Sequence, residues 1–190
     1  MRSIAAVGVL VAGLAGAVQA AEVEGVKLAD RVRVTPAGPE LVLNGAGLRT
    51  RFIFSVYVGA LYLQQKATAT GAVLADPGPK RIAMHLLRDL TAEQLFSAMN
   101  DGLKANHAPE EIAKFAPQVK ELEGIFNAVK AAKTGDVILL DYVPDTGTAV
   151  MVNGDLKGRI PGGAFNQALL RIWLGDQPAD ADLKRAMLGG

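Results

Sequence analysis

Apolar and polar residues alternate, cluster or recur at helical spacing in successive stretches of the chain, and each change of period marks a new element. Gly25 to Val34 mixes β-branched residues with charges, and the stretch from Pro36 to Pro39 predicts a turn after it. Leu41-Val42-Leu43 reads as a short apolar strand ending at Asn44-Gly45-Ala46-Gly47, where glycine permits positive φ. From Thr50 to Leu63 the apolar residues Phe52, Ile53, Phe54, Val56, Tyr57, Val58 and Tyr62 occupy both parities. That predicts one strand buried on both faces. Asp76-Pro77-Gly78-Pro79 breaks the pattern, and Arg81 to Leu87 supplies the next strand.

The middle of the chain shifts to a helical period. Thr91 and Gln94 make a capping box, and Leu95, Phe96, Met99 and Leu103 follow on one face. Pro109 stands where a first helical residue would, with Glu110 and Glu111 at the positive end of the helix dipole. Ile112, Phe115, Val119, Leu122, Phe126 and Val129 then form one long stripe, in which Pro117 predicts a kink or a helix restart. Alternation returns at Asp136 to Val143 and Thr148 to Val152, which flank a turn at Pro144 to Gly147. Asn153-Gly154 is a strong hairpin signal leading into Leu156 to Ile160. Phe165, Ala168, Leu169, Ile172 and Trp173 make a helix face stopped by Gly175, and Asp180 to Leu188 makes a short final helix. Strands, helices, hairpins and a closing helix predict an α+β fold, an antiparallel sheet with helices packed on one face.

Composition changes this picture at the N terminus. Arg2 precedes an uncharged run from Ile4 to Val18, and Val18-Gln19-Ala20 places small residues before the charged start Ala21-Glu22. This predicts a secretory signal peptide over residues 1–20, cut after Ala20, and hence a periplasmic protein with one domain over 21–190. The competing reading is a retained anchor, for which the run is short and rich in glycine. No later stretch is apolar enough to span a bilayer, so no membrane span is expected after cleavage.

Without Arg2 the chain holds 19 basic and 19 acidic residues, which removes the positive field expected of a nucleic-acid binder. The absence of Cys removes disulfides, thiolate metal sites and cysteine nucleophiles together. There is no P-loop, dinucleotide fingerprint, His-Glu-x-x-His pattern or nucleophile elbow. His85 and His107 fall in different elements without ligand spacing, so neither a metal nor a cofactor is expected. Glu110, Glu111, Glu121 and Glu123 lie among Lys114, Lys120 and Lys130 and read as a solvated helix face.

Arg49 is the more informative residue. It follows the glycine-rich segment and opens the most apolar stretch of the chain, where a permanently charged guanidinium demands a polar or anionic partner. That partner is either an internal carboxylate or a ligand carboxylate or enolate held by a two-pronged hydrogen bond. Tyr57 shares its strand parity, but straight strand would hold the two roughly 26 Å apart. They meet only if the chain turns or bulges between them.

Gly45-Ala46-Gly47-Leu48-Arg49 followed by Phe54-Ser55-Val56-Tyr57-Val58-Gly59-Ala60-Leu61-Tyr62-Leu63 resembles the chalcone isomerase family, in particular its exported bacterial chalcone isomerase-like members. The resemblance continues through Arg88-Asp89-Leu90, the two helices after it, the hairpins from Tyr142 to Pro161 and Ile172-Trp173-Leu174-Gly175. It implies an open-faced β-sandwich, a large antiparallel sheet covered by helices. In such proteins the Arg at the place of Arg49 either stabilises the negative charge of chalcone cyclisation or, with a Tyr at the place of Tyr57, holds a fatty-acid carboxylate. The helix that should bring the enzymes' active-site Tyr and Asn carries Ile112, Phe115 and Val119, so true chalcone isomerase activity is not expected.

The resulting expectation is a periplasmic binder of a small amphipathic carboxylate through Arg49 and Tyr57, with a tail among Phe52, Phe54, Leu95, Phe96, Met99, Ile112 and Phe115. The alternatives are an isomerase or intramolecular lyase on another substrate, with Arg49 stabilising an enolate, and a non-catalytic envelope interaction module. No catalytic residue beyond that is assigned.

Overall fold

The computed structural model describes residues 21–190, so the signal peptide expected over 1–20 lies outside the described residues. β1 (Ala21–Val23) and β2 (Val26–Leu28) form a small hairpin, turned at Glu24 and Gly25, both at positive φ. There follow β3 (Arg31–Arg33), β4 (Glu40–Arg51), β5 (Phe54–Leu63), α1 (Thr70–Ala75) and β6 (Lys80–Leu86). The middle contains β7 (Leu90–Thr91), α2 (Ala92–Asn106), α3 (Pro109–Lys114), α4 (Ala116–Val129) and β8 (Ala131–Ala132). The chain closes with β9 (Val137–Val143), β10 (Gly147–Val152), β11 (Asp155–Ile160), α5 (Gly163–Leu174) and α6 (Ala181–Met187).

Strand alternation sorts the side chains of the main sheet onto two faces. The sheet has 7 strands in the order β11-β10-β9-β6-β5-β4-β3, every neighbouring pair antiparallel. Tyr57, Leu61 and Leu63 of β5 face the main core, shared with Leu95, Met99, Phe126, Trp173 and Met187 from the helices. Val58, Ala60 and Tyr62 face a smaller core with Leu28 and Leu41, beneath the β1–β2 hairpin. The α+β architecture expected from the pattern is thus present, with helices on one face. The N-terminal hairpin covers part of the other face, a role the sequence pattern did not reveal.

Several local expectations hold for the reasons given. The Thr91 hydroxyl accepts the Gln94 N–H at 3.2 Å and the Gln94 side chain accepts the Thr91 N–H at 3.0 Å, completing the capping box. The long stripe is broken at Phe115, and Pro117 lies in the first turn of α4, a restart. Asn153 and Gly154 turn the last hairpin at φ 53° and 88°.

Two segments differ from the sequence reading. Asn44 to Gly47 is no turn but the middle of β4. A Cβ on Gly45 would run into the Ala186 carbonyl oxygen, and one on Gly47 would lie 2.7 Å from the Ala186 Cβ. The glycines are there because α6 crosses β4 at this point, not because φ is positive. A bulge between Leu43 and Gly45 accompanies them. The buried Asn44 amide donates to the carbonyls of Met187 (2.7 Å) and Ala67 (2.9 Å), tying the strand to the end of α6. The second difference is the stretch from Thr50 to Leu63, which is not one strand: β4 ends at Arg51, Phe52 and Ile53 form the turn, and β5 begins at Phe54. Burial on both faces holds only from Val56 onward.

Candidate functional site

That turn brings Arg49 and Tyr57 together. They are cross-strand partners in the β4–β5 register, next to a second irregularity between Arg49 and Thr50. Directly opposed residues of an antiparallel pair project from the same face, here the face covered by helices. The guanidinium carbon of Arg49 lies 5.4 Å from the centre of the Tyr57 ring, a cation–π distance.

The hydrogen bonding around this pair is one-sided. Trp173 of α5 donates its indole N–H to the Tyr57 oxygen at 2.7 Å. Indole has no acceptor to return, and Arg49, the other polar neighbour, is also only a donor. The proton of Tyr57 therefore finds no acceptor among the described residues. The Nε of Arg49 is buried and likewise without a partner.

Asp180, near enough for its charge to act on Tyr57, is engaged elsewhere. One of its oxygens accepts from the Thr50 N–H (3.0 Å) and hydroxyl (3.1 Å), and the other caps α6 through the N–H groups of Asp182 (2.9 Å) and Leu183 (3.0 Å). Burial pushes its pKa up, but the Leu183 and Thr50 donors together outweigh that and hold it below the ordinary value. Burial also pushes the Tyr57 hydroxyl up, against the opposing effects of Arg49 and of the Trp173 hydrogen bond. Tyr57 is thus a neutral phenol at physiological pH, able to donate.

Beside the pair lies a cavity of about 120 Å³. Val56, Met84, Leu90, Leu95, Ala98, Met99, Ile172, Trp173 and Ala179 supply its apolar wall, and Arg49, Arg51, Tyr57, Arg88 and Gln94 its polar groups. Three guanidinium groups border it, and no carboxylate or imidazole does. The arrangement suits an acceptor-rich, anionic group with an apolar body.

Of the residues expected to form the wall, only Leu95 and Met99 do so. Phe52 and Phe54 sit outside on the hairpin tip, where the Arg88 guanidinium stacks on Phe54 at 5.1 Å. Phe96, Ile112 and Phe115 pack against the core elsewhere, Phe115 against Phe165 with ring centres 5.6 Å apart. Val119, which follows Ile112 and Phe115 on the same stripe, does not line the cavity either.

Among the cavity residues that sequence reasoning did not assign to the site are Arg51, Arg88, Gln94 and Trp173. Trp173 occupies the apolar face of its helix, where it reads as core, and Arg88 follows a strand as any loop cation might. His85 pairs opposite Val58, on the sheet face turned away from the cavity, and burial lowers its pKa. His107 ends α2 with Nδ1 2.9 Å from the Leu103 carbonyl oxygen. Glu110, Glu121 and Glu123 are exposed, and Glu111 accepts the Ala108 N–H. Among the described residues no group of acidic residues and histidines is arranged to hold a metal, and no helix is long and apolar enough to cross a membrane.

Comparison with known proteins gives the same fold. Among solved structures the chain is similar to a fatty-acid binding protein of Arabidopsis thaliana, with a TM-score of 0.64 at 13% identity. The similarity covers 86% of this chain and 92% of the other. At that identity the likeness is one of fold. No curated protein sequence matches the chain significantly. A sequence profile described as chalcone isomerase-like matches residues 20–189, nearly the whole of the domain described above. The chain therefore belongs to the chalcone isomerase-like family.

Proposed function

We propose that this protein binds the carboxylate of a small amphipathic acid, fatty-acid-like in character, through Arg49 and Tyr57. The observation that carries this reading is the pair of unanswered donors, the buried Nε of Arg49 and the hydroxyl of Tyr57, beside an apolar cavity. A buried donor left unpaired costs about 1–3 kcal/mol. A carboxylate answers both donors at once, and charge-assisted hydrogen bonds of this kind are the stronger ones. The fatty-acid binding of the Arabidopsis protein supports the same ligand class on the same fold.

The cavity of about 120 Å³ is below the roughly 300–1,000 Å³ of ordinary ligand pockets. It accommodates the head and first carbons of such an acid. A longer tail leaves through the mouth or displaces Met84 and Met99, whose unbranched side chains adapt readily. Binding is preferred to isomerisation because the lining offers hydrogen-bond donors but no side chain suited to accept a proton at neutral pH. With the expected leader removed after Ala20, the place of action is the periplasm.

Native mass spectrometry of the protein purified from its own periplasm, followed by organic extraction, tests the reading. The expected result is a co-purifying acyl carboxylate that is absent from a folded Arg49→Ala variant. Wild-type protein that is empty, and that also fails to take up added decanoate, overturns it.

A further inference from the structure

The tip of the β4–β5 hairpin carries an apolar spike that neither the core nor the cavity uses. Phe52 and Ile53 are each 90% exposed and Phe54 is 53% exposed. Phe52 moreover adopts φ 57°, the left-handed region. A bulky aromatic residue is a genuine outlier there, and two-residue hairpin turns favour Gly, Asn or Asp at such positions. Turn chemistry therefore does not account for Phe52-Ile53, and strain kept at a turn is a mark of function. The spike is flanked by cations. Arg51 and Arg88 are exposed, Arg88 stacks on Phe54, and both border the cavity. The nearby acids are engaged elsewhere: Asp89 with Lys133 and Thr134, and Asp180 with Thr50 and the start of α6.

We infer that this tip docks on an anionic lipid surface, with Phe52 and Ile53 entering the bilayer interface and Arg51 and Arg88 against the headgroups. The chemistry selects lipid over protein. A stable protein interface buries roughly 800 Å² on each partner, far more than three projecting side chains supply. A bilayer accepts a narrow apolar wedge, and cations beside it gain from anionic headgroups. The location adds a consequence that rests on the proposed function: a docked tip places the cavity mouth at the lipid surface, where an acyl chain can pass without crossing water.

The test is sedimentation of the full chain with vesicles of phosphatidylcholine containing phosphatidylglycerol, compared with vesicles of phosphatidylcholine alone. The comparison protein is the double variant Phe52→Gly, Ile53→Asn, a favoured hairpin turn that preserves the fold. Both proteins carry the same N terminus, so the difference between them is the readout. The expected result is a partition coefficient on anionic vesicles at least about tenfold higher for wild type, with wild-type binding weakening in high salt as the arginines are screened. Equal binding of the two proteins, or wild-type self-association through the tip with no vesicle binding, overturns the inference. Failure here is separable from failure of the ligand reading. The tip variant is expected to retain decanoate binding, and Arg49→Ala is expected to dock while losing it.

Discussion

Tyr57 stands between two donors, and that position sets its part in the site. Trp173 donates to its oxygen and Arg49 lies over its ring, and the cavity lies beside the pair. Tyr57→Phe separates the two duties of the hydroxyl. Removing the oxygen leaves the buried indole N–H of Trp173 unpaired, and an expected loss of about 1–3 kcal/mol follows from that orphaned donor. The same change removes one hydrogen bond to a ligand carboxylate and is expected to weaken decanoate binding about tenfold. Urea denaturation reads the first effect and titration calorimetry the second. Undiminished stability would show that the Trp173 contact contributes nothing, and unchanged affinity would remove Tyr57 from the site. At this scale the sequence was informative where residue type alone constrains the environment. Arg49 stands out because a guanidinium at the head of an apolar stretch requires a partner. Trp173 did not stand out, because an indole on an apolar helix face carries no sign that its one polar atom is in use, and its partner is 116 positions away.

Asp89 holds an element in place rather than a ligand. Its carboxylate accepts from the Thr134 N–H (2.8 Å), the Thr134 hydroxyl (3.1 Å) and Lys133 Nζ (3.0 Å). It thereby fastens the segment between β6 and β7, whose Arg88 borders the cavity together with Leu90 at the start of β7, to the loop before β9. The Thr134 backbone N–H foremost, with Lys133 and the Thr134 hydroxyl, lowers its pKa from 3.8 to about 2. The unfolded chain binds this proton first, so the contribution is fully present above the unfolded value and is lost as pH falls through the folded one. Asp89→Asn is expected to be less stable than wild type at neutral pH, with the two proteins converging as pH drops from about 4 to about 2. Thermal melts across that range decide it, and parallel curves would sink the idea. The elements themselves were largely legible in advance, because helical stripes, the Thr91–Gln94 cap and Asn153-Gly154 are local signals. What failed was non-local. The glycines of β4 answer to α6, which lies some 140 positions later in the chain, and the exposed apolar turn at Phe52-Ile53 carried the hydrophobicity of a strand without its burial.

Across the whole molecule, the cavity lies at one end of the layer between the sheet and the helices, where β5, α2 and α5 meet and the β4–β5 hairpin projects beyond the core. Its position explains why the sequence reading named Leu95 and Met99 but not the rest of the wall, which is set by how three distant elements pack. It also makes ligand binding and stability one measurement, because only the folded chain assembles the site. A carboxylate present at about a hundred times its dissociation constant stabilises the folded state by about 2.7 kcal/mol. For a domain of this size that is roughly 5–10 °C in Tm. Ala98→Leu adds a branched side chain on the cavity wall, at a helical position where leucine is well tolerated. The filled variant is expected to melt within about 3 °C of ligand-free wild type, because the added carbons enter open space instead of packed core. With decanoate its gain in Tm is expected to fall below about 2 °C, since the space for the first carbons of the tail is gone while Arg49 and Tyr57 remain. Equal gains in the two proteins would place the acyl chain somewhere other than this cavity. A gain lost from Ala98→Leu and also from Arg49→Ala would mark head and tail as parts of one site.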